Sequence, residues 1–272
     1  MARKKKPSKR TASNCDRHEL YELSVQEPEA DCEFIEQVWT ELRGRIPRSL
    51  REDFCGTAIT AIDWVKRDPT HTAVGVDIEA EVLGVANKRI KARLRPERRS
   101  RMKLIQASVL DVETEPVDTV LATNFSYFIF KTRRTMKRYF KRVLDSLVED
   151  GIFILDVYGG SDSFVEMKEP REVDGFTYIW EQAHYNPITG DVINHISFKF
   201  PDGSRLKHAF TYEWRLWTLP ELQELLREAG FSDVTVYWEG TDEEDDEPNG
   251  EWSPSKVGEA CPGWVSYVVG AK

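Results

Sequence analysis

With 272 residues, 40 % of them hydrophobic, the chain is long enough for one large domain or two small ones and can bury a real core. Its formal charge of -9 argues against a dedicated nucleic-acid binder. Neither a leader-type apolar stretch nor the roughly 20 apolar residues of a membrane span can be found, so a soluble, cytoplasmic protein is expected. Cys15, Cys32, Cys55 and Cys261 form no CxxC pair and no cluster with zinc spacing, which disfavours a metal centre or a disulfide framework.

The start, MARKKKPSKR, is a like-charge run with no apolar partner and reads as a flexible tail over residues 1–19. In DCEFIEQVWTEL, Phe34, Ile35, Val38, Trp39 and Leu42 recur at helical spacing and predict an amphipathic helix. Strand and helix signals then alternate: SLREDF and AITAIDWVKR, TAVGVDI and AEVLGVANKRIKARL, then MKLIQAS. VDTVLATNF, the helix KTRRTMKRYFKRVLDSLV and the strand IFILDVYGG follow. Strands separated by helices predict βαβ units, hence a doubly wound, mostly parallel α/β sheet spanning residues 20–175. Residues 176–217 change character, with three strands broken by the turn signals NPITG and PDGS, and predict an antiparallel β insert. Residues 218–272 return to the core through the helix TLPELQELLREAGF and the strands DVTVYW and WVSYVVGA. These flank an acidic loop over 241–263 and complete an expected seven-stranded sheet.

In open α/β sheets ligands bind beyond the carboxyl ends of the strands, and EDFCGTA falls where the first strand turns into the first helix. Gly56 lets the backbone approach a ligand, and the next strand ends at Asp77, 77 − 56 = 21 positions on. That spacing suits a carboxylate accepting hydrogen bonds from ribose hydroxyls. A dinucleotide needs G-x-G-x-x-G for its pyrophosphate; only one such glycine is present, which disfavours NAD.

The same stretch resembles the first motif of the class I S-adenosylmethionine-dependent methyltransferases, an acidic residue followed by G-x-G-x-G. Glu52 takes the acidic position, with Asp53 as an alternative. Phe54 stands at the first glycine, Cys55 and Gly56 at the central pair, and Ala58 at the last, with Thr57 between. VGVDIE is similar to the second motif, which implies Asp77 on the ribose and Ile78 against the adenine. IQASVLDV is similar to the third and implies Ser108 and Val109 at the adenine edge. DTVLATNFSYFIF is similar to the fourth and implies Asn124, Phe125 and Tyr127 at the mouth between cofactor and acceptor. By the same resemblance, YELSVQEP brings Tyr21 and Gln26 over the cofactor. The resemblance implies S-adenosylmethionine as cofactor and a small-molecule acceptor; it leaves the oligomeric state open.

Period-two alternation in the insert predicts one aromatic face of Phe176, Tyr178, Trp180 and His184, and another of His208, Phe210, Tyr212 and Trp214. Packing alone accounts for such faces, whereas a lid over the mouth would make His184 or His208 a proton acceptor. His195 alternates with Ser197 and Lys199 on a polar face. Two rival readings stay open. The helix with Lys131, Arg133, Arg134, Lys137, Arg138, Lys141 and Arg142 suits RNA modification or binding, and Phe54 crowding the loop suits an inactive S-adenosylmethionine-binding module.

Overall fold

The computed structural model describes residues 10–242 and 248–272. The basic run at 1–9 and most of the acidic run, 243–247, lie outside the described residues. In chain order the elements are α1 (Arg17–Val25), α2 (Pro28–Arg43), β1 (Ser49–Asp53), α3 (Ile59–Arg67), β2 (Thr72–Asp77), α4 (Ala80–Arg93), α5 (Pro96–Arg99), β3 (Met102–Gln106), β4 (Val117–Ala122), α6 (Arg133–Asp145) and β5 (Leu147–Gly159). There follow β6 (Met167–Val173), β7 (Phe176–Tyr185), β8 (Asp191–Lys199), β9 (Arg205–Arg215), α7 (Leu219–Ala229), β10 (Asp233–Thr241), β11 (Pro248–Ser255) and β12 (Trp264–Ala271).

These form two compact units. One joins Glu27–Ser163 to Leu216–Lys272; the other joins the described residues up to Gln26 to Phe164–Arg215. The sequence reading puts the corresponding boundaries at 19/20, 175/176 and 217/218. The smaller unit takes in α1 because Leu20 is buried with Phe176, Ile196 and Phe198, and it gains a fourth strand, β6, paired along the whole of β7's first half.

The larger unit is built on a sheet of order β3-β2-β1-β4-β5-β12-β10-β11, parallel from β3 to β5 and antiparallel beyond. It has eight strands where seven are expected, because Pro248–Ser255 pairs with β10 instead of remaining loop. On one face, Leu50, Leu121, Ile152, Ile154 and Val269 pack under the apolar sides of α2, α3 and α4. The expected stripe of Phe34, Ile35, Val38 and Trp39 is buried there, and Trp39 donates from Nε1 to Thr119 Oγ1 at 2.8 Å. The opposite face receives α6 through Tyr139 and Phe140 against Phe153. α7 starts with a reciprocal cap between Thr218 and Glu221 and ends at Gly230 in the left-handed region, φ 110°.

α6 turns its apolar side inward and pairs most of its cations within the unit. Arg133 and Lys137 meet Glu228, Arg138 meets Asp111, and Lys141 meets Asp145. Arg142 donates to the Val112 carbonyl.

The smaller unit is an antiparallel meander, β6-β7-β8-β9, with α1. Two β-bulges overturn the simple alternation expected there. Gln182 stands opposite Asn194 on the buried face, but the register slips, so His184 stands opposite Ile193 on the other face. A second slip near Ile196/Phe198 accommodates extra residues in β9. His208 takes φ 46° there and stacks on His195, centroids 3.8 Å apart. Both histidines thus leave the aromatic face; Trp180, Tyr212 and Trp214 remain on it, with Tyr212 and Trp214 stacked at 4.5 Å.

Candidate functional site

The turn from β1 into α3 settles how a glycine-poor loop keeps its course. Phe54, Gly56 and Ala58 have φ of 56°, 52° and 56°, so alternate residues are left-handed at the three places where G-x-G-x-G has glycine. A non-glycine residue pays roughly 1–2 kcal/mol for that conformation, and the surroundings hold it in place. The Ala58 amide donates to the Cys55 carbonyl at 2.7 Å, and the Phe54 ring packs between Phe130 and Tyr139 at 5.9 and 5.7 Å. Cys55 is buried and donates its amide to the Val76 carbonyl at 3.0 Å. Its Sγ lies where a side chain on Gly75 would intrude: a Cβ there would stand 2.9 Å from it.

Asp77 reaches this turn directly. Its Oδ2 accepts from the Gly56 amide at 2.9 Å and its Oδ1 from the Glu79 amide at 2.9 Å. The two features 21 residues apart in sequence are therefore in contact. Around Gly56 the space is open, since a Cβ would meet nothing nearer than Val82 Cγ2 at 4.0 Å. The Thr57 hydroxyl is buried with no hydrogen-bond partner. Ile78 is exposed beside Asp77, and the Ala107 amide bonds the Asp77 carbonyl at 3.0 Å, which brings the 107–109 segment alongside. Ser108 Oγ accepts from the Leu110 amide at 3.2 Å, and the Val109 side chain is buried.

Glu52 faces the α3 side and is buried, accepting from the Ala61 amide at 2.9 Å. Burial, with the charges of Asp31 and Asp77, pushes its carboxyl up to about 8. Asp31, on α2, accepts from Thr60 Oγ1 at 3.0 Å and is pushed up to about 6, mainly by burial. At the end of β5 the Asp156 carboxylate accepts from the amides of Asn124 and Phe125 at 2.6 and 2.9 Å. Burial lifts it to about 7 despite those bonds. Asp31 repels both Glu52 and Asp156, so this end of the sheet gathers carboxyl groups from α2, β1 and β5 whose ionisation a nearby cation would favour.

Three expectations need correction. Asp53 is no partner for a ligand: alternation turns it to the α6 face, where it is buried in a two-pronged pair with Arg51 (2.7 and 2.9 Å) and accepts from Tyr139 at 3.0 Å. Tyr127 is fully buried, donates to the Asp156 carbonyl at 2.6 Å and has its phenol pushed well above the ordinary value by burial; it props the β4 turn and has no access to a reacting atom. His184 and His208 are both half exposed, on the polar face of their sheet, beside Glu166 (3.3 Å) and Glu181 (4.0 Å) respectively. Tyr21 packs on Phe210 at 5.1 Å within the smaller unit, and Gln26 ends α1 there with its Oε1 buried and without a partner.

Asp31 and Asp156 are buried carboxyl groups of this candidate site that the sequence reading misses. The signal for Asp156 was present, a lone charge inside the apolar run IFILDVY. A groove of about 920 Å³ between α7, β10 and the 254–264 segment, with Trp238 and Trp264 in its wall, is lined by none of the candidate residues.

No protein-family model matches the chain, and no curated protein does. Solved structures do. An S-adenosylmethionine-dependent methyltransferase from Clostridium acetobutylicum ATCC 824 superposes with a TM-score of 0.67 at 17 % identity, over 93 % of this chain and 96 % of that one. The CcbJ methyltransferase from Streptomyces caelestis gives 0.64 at 13 %, over 90 % and 98 %. The sugar N-methyltransferase KedS8 from Streptoalloteichus sp ATCC 53650 gives 0.62 at 18 %, over 100 % and 98 %. The chain thus has the class I methyltransferase fold, Rossmann-like, with a separate antiparallel sheet. No helix among the described residues is long and apolar enough to cross a membrane.

Proposed function

We propose that the protein is an S-adenosylmethionine-dependent methyltransferase acting on a small-molecule acceptor by N- or O-methylation. The contact between Asp77 and the Gly56 turn, at the carboxyl ends of β1 and β2, carries the reading. The residues suit the cofactor: open space over Gly56, an unpaired Thr57 hydroxyl, a ribose-type carboxylate and an acidic surround for a cation. When bound, the cofactor supplies an electrophilic methyl group on a sulfonium.

In this reading Asp77 takes the ribose hydroxyls, Ile78 covers the adenine, Ser108 and the Val109 backbone meet its edge, and Gly56 and Thr57 border the amino-acid end. Glu52, protonated in the ligand-free chain, is the group that a nearby positive charge would ionise, with Asp31 behind it. The remaining task of the chain is to hold a nucleophile in line and keep water away. No proton acceptor is assigned, since Tyr127 has no free oxygen and His184 and His208 stand on the polar face of their sheet. Structural neighbours that act on sugars and glycopeptides, KedS8 and the glycopeptide N-methyltransferase MtfA, favour a small acceptor over RNA, as does the internal pairing of the α6 cations. The test is mass spectrometry of a small-molecule extract incubated with the purified protein and S-adenosylmethionine. New species heavier by one methyl group support the reading. Their absence, with no heat of binding for S-adenosylhomocysteine, refutes it; binding without turnover would leave the inactive-module reading standing.

A further inference from the structure

The segment after β4 contains two consecutive non-glycine residues in the left-handed region, Asn124 at φ 58° and Phe125 at φ 57°. One such residue is uncommon; two in succession, one of them aromatic, persist only where neighbours over-determine them. The over-determining group is a single side chain. Asp156 accepts from both amides, one on each carboxylate oxygen, and its own carbonyl accepts from Tyr127 two residues on. Successive amides in this conformation form a concave donor pair that suits an anion, and here the anion comes from the neighbouring strand. The clamp has two visible consequences. The Phe125 ring is set edge-on against Tyr158, centroids 4.8 Å apart. The Asn124 carboxamide donates from Nδ2 to Thr123 Oγ1 at 3.4 Å, and its Oδ1 accepts from no described residue.

We propose that Asp156 is a positioning residue of the site: by holding both amides it fixes the strained turn that presents Asn124 and Phe125 to the cofactor. The inference rests on the methyltransferase reading for its function, though not for its geometry. The groups facing Asp156 are Asp31 from α2, Tyr127 from the turn and Tyr267 from β12. None of these is a cation, so the charge is stabilised by the two amides, with a lesser contribution from the residue's own backbone amide. Protonation leaves one carboxyl oxygen as a weaker acceptor, so the clamp loosens as pH falls through about 7.

Asp156→Asn is nearly isosteric, yet it keeps only one acceptor oxygen and turns an N–H toward the second amide. The experiment combines hydrogen exchange over residues 123–126, corrected for intrinsic rates, with calorimetric titration of S-adenosylhomocysteine, both on the full chain. In the unaltered protein, protection of this segment should drop at least several-fold between pH 8 and pH 6. In Asp156→Asn it should be low at both values while protection of β1 and β4 is retained, and affinity at pH 8 should fall at least tenfold. Exchange at 123–126 that is the same in the two proteins, or equal across pH in the unaltered one, overturns the clamp. Normal affinity with a loosened turn overturns its positioning role. If the unaltered protein binds no S-adenosylhomocysteine, the cofactor reading fails, and with it the positioning role, while exchange still decides whether the clamp exists. Should Asp156→Asn not fold, Asp156→Ser takes its place with the same expected losses, because a serine hydroxyl accepts but cannot span both amides.

Discussion

Replacing Arg51 by methionine should be among the most damaging single changes in the larger unit. Arg51 and Asp53 lie in β1, flanked by β2 and β4, with side chains 1 % and 0 % exposed. Their paired bonds of 2.7 and 2.9 Å, with Tyr139 adding a third at 3.0 Å, give Asp53 its whole compensation for lost water. Arg51→Met leaves a buried carboxylate with one phenol, and breaking a buried pair in this way costs about 3–5 kcal/mol. For a unit of this size each kcal/mol shifts the melting temperature by about 2–4 °C, so a loss of roughly 6–20 °C is expected. Arg51→Met with Asp53→Leu removes both charges, and their joint replacement is often neutral or better by about 1–4 kcal/mol. The stranded Tyr139 hydroxyl then opposes it by about 1–3 kcal/mol. The pair of changes should therefore lie close to the unaltered protein, and Tyr139→Phe added to them should be at least as stable. Urea unfolding followed by fluorescence and circular dichroism measures all four proteins, with coincident transitions as the check on two-state analysis. A cost below about 1 kcal/mol for Arg51→Met, or a double variant as weak as the single one, would show that β1 does not depend on this pair.

Asp77→Ala should weaken S-adenosylmethionine binding by about 1.5–3 kcal/mol, the usual loss for a hydrogen bond to a charged group, and calorimetric affinity that stays the same would remove the ribose assignment. Because Glu52 is lifted to about 8 from an ordinary 4.5, the folded chain holds a proton that the unfolded chain releases between those values. Stability of the ligand-free protein should fall as pH climbs through that window and level off above it. Glu52→Gln should flatten this slope, and melting curves from pH 5 to 9 that coincide for the two proteins would count against a buried, protonated Glu52. Ala58→Gly relieves about 1–2 kcal/mol of left-handed strain but loses about 0.8 kcal/mol of methyl burial and about 0.4–1 kcal/mol in unfolded-state entropy. Near-neutral stability is expected, and a loss above about 2 kcal/mol in urea would contradict the balance. His184→Gln combined with His208→Gln should leave turnover on the acceptor found in the extract screen unaltered, because both rings stand on the polar face of their sheet, and a slowed rate would restore the base role.

Much of the larger unit could be read from its residues because one property fixed each element. The 21-residue step from Gly56 to Asp77 needed only strand and helix lengths, and the two groups prove to be bonded. What could not be read depended on register. His184 and His208 change faces because each strand gains residues at a bulge, and nothing in FTYIWEQAH or RLKHAFTYEW marks the slip. Similarly, SLREDF shows three charged residues in a row. Which of Glu52 and Asp53 looks toward α3 and which toward α6 follows from the direction of the pleat, and only contacts with those helices decide that. The eighth strand was hidden because PNGEWSPS has two prolines and no alternation; as a sheet edge it has solvent on one side, where a missing amide is tolerated.

A phenylalanine and an alanine standing where the related loop has glycines also alter what the chain gives up on meeting its ligand. Three glycines wander widely before binding and must be gathered in, whereas bulkier residues already locked into their turns have little wandering left to surrender. On the methyltransferase reading, the penalty is therefore met once, as the chain folds, and not again at each binding event.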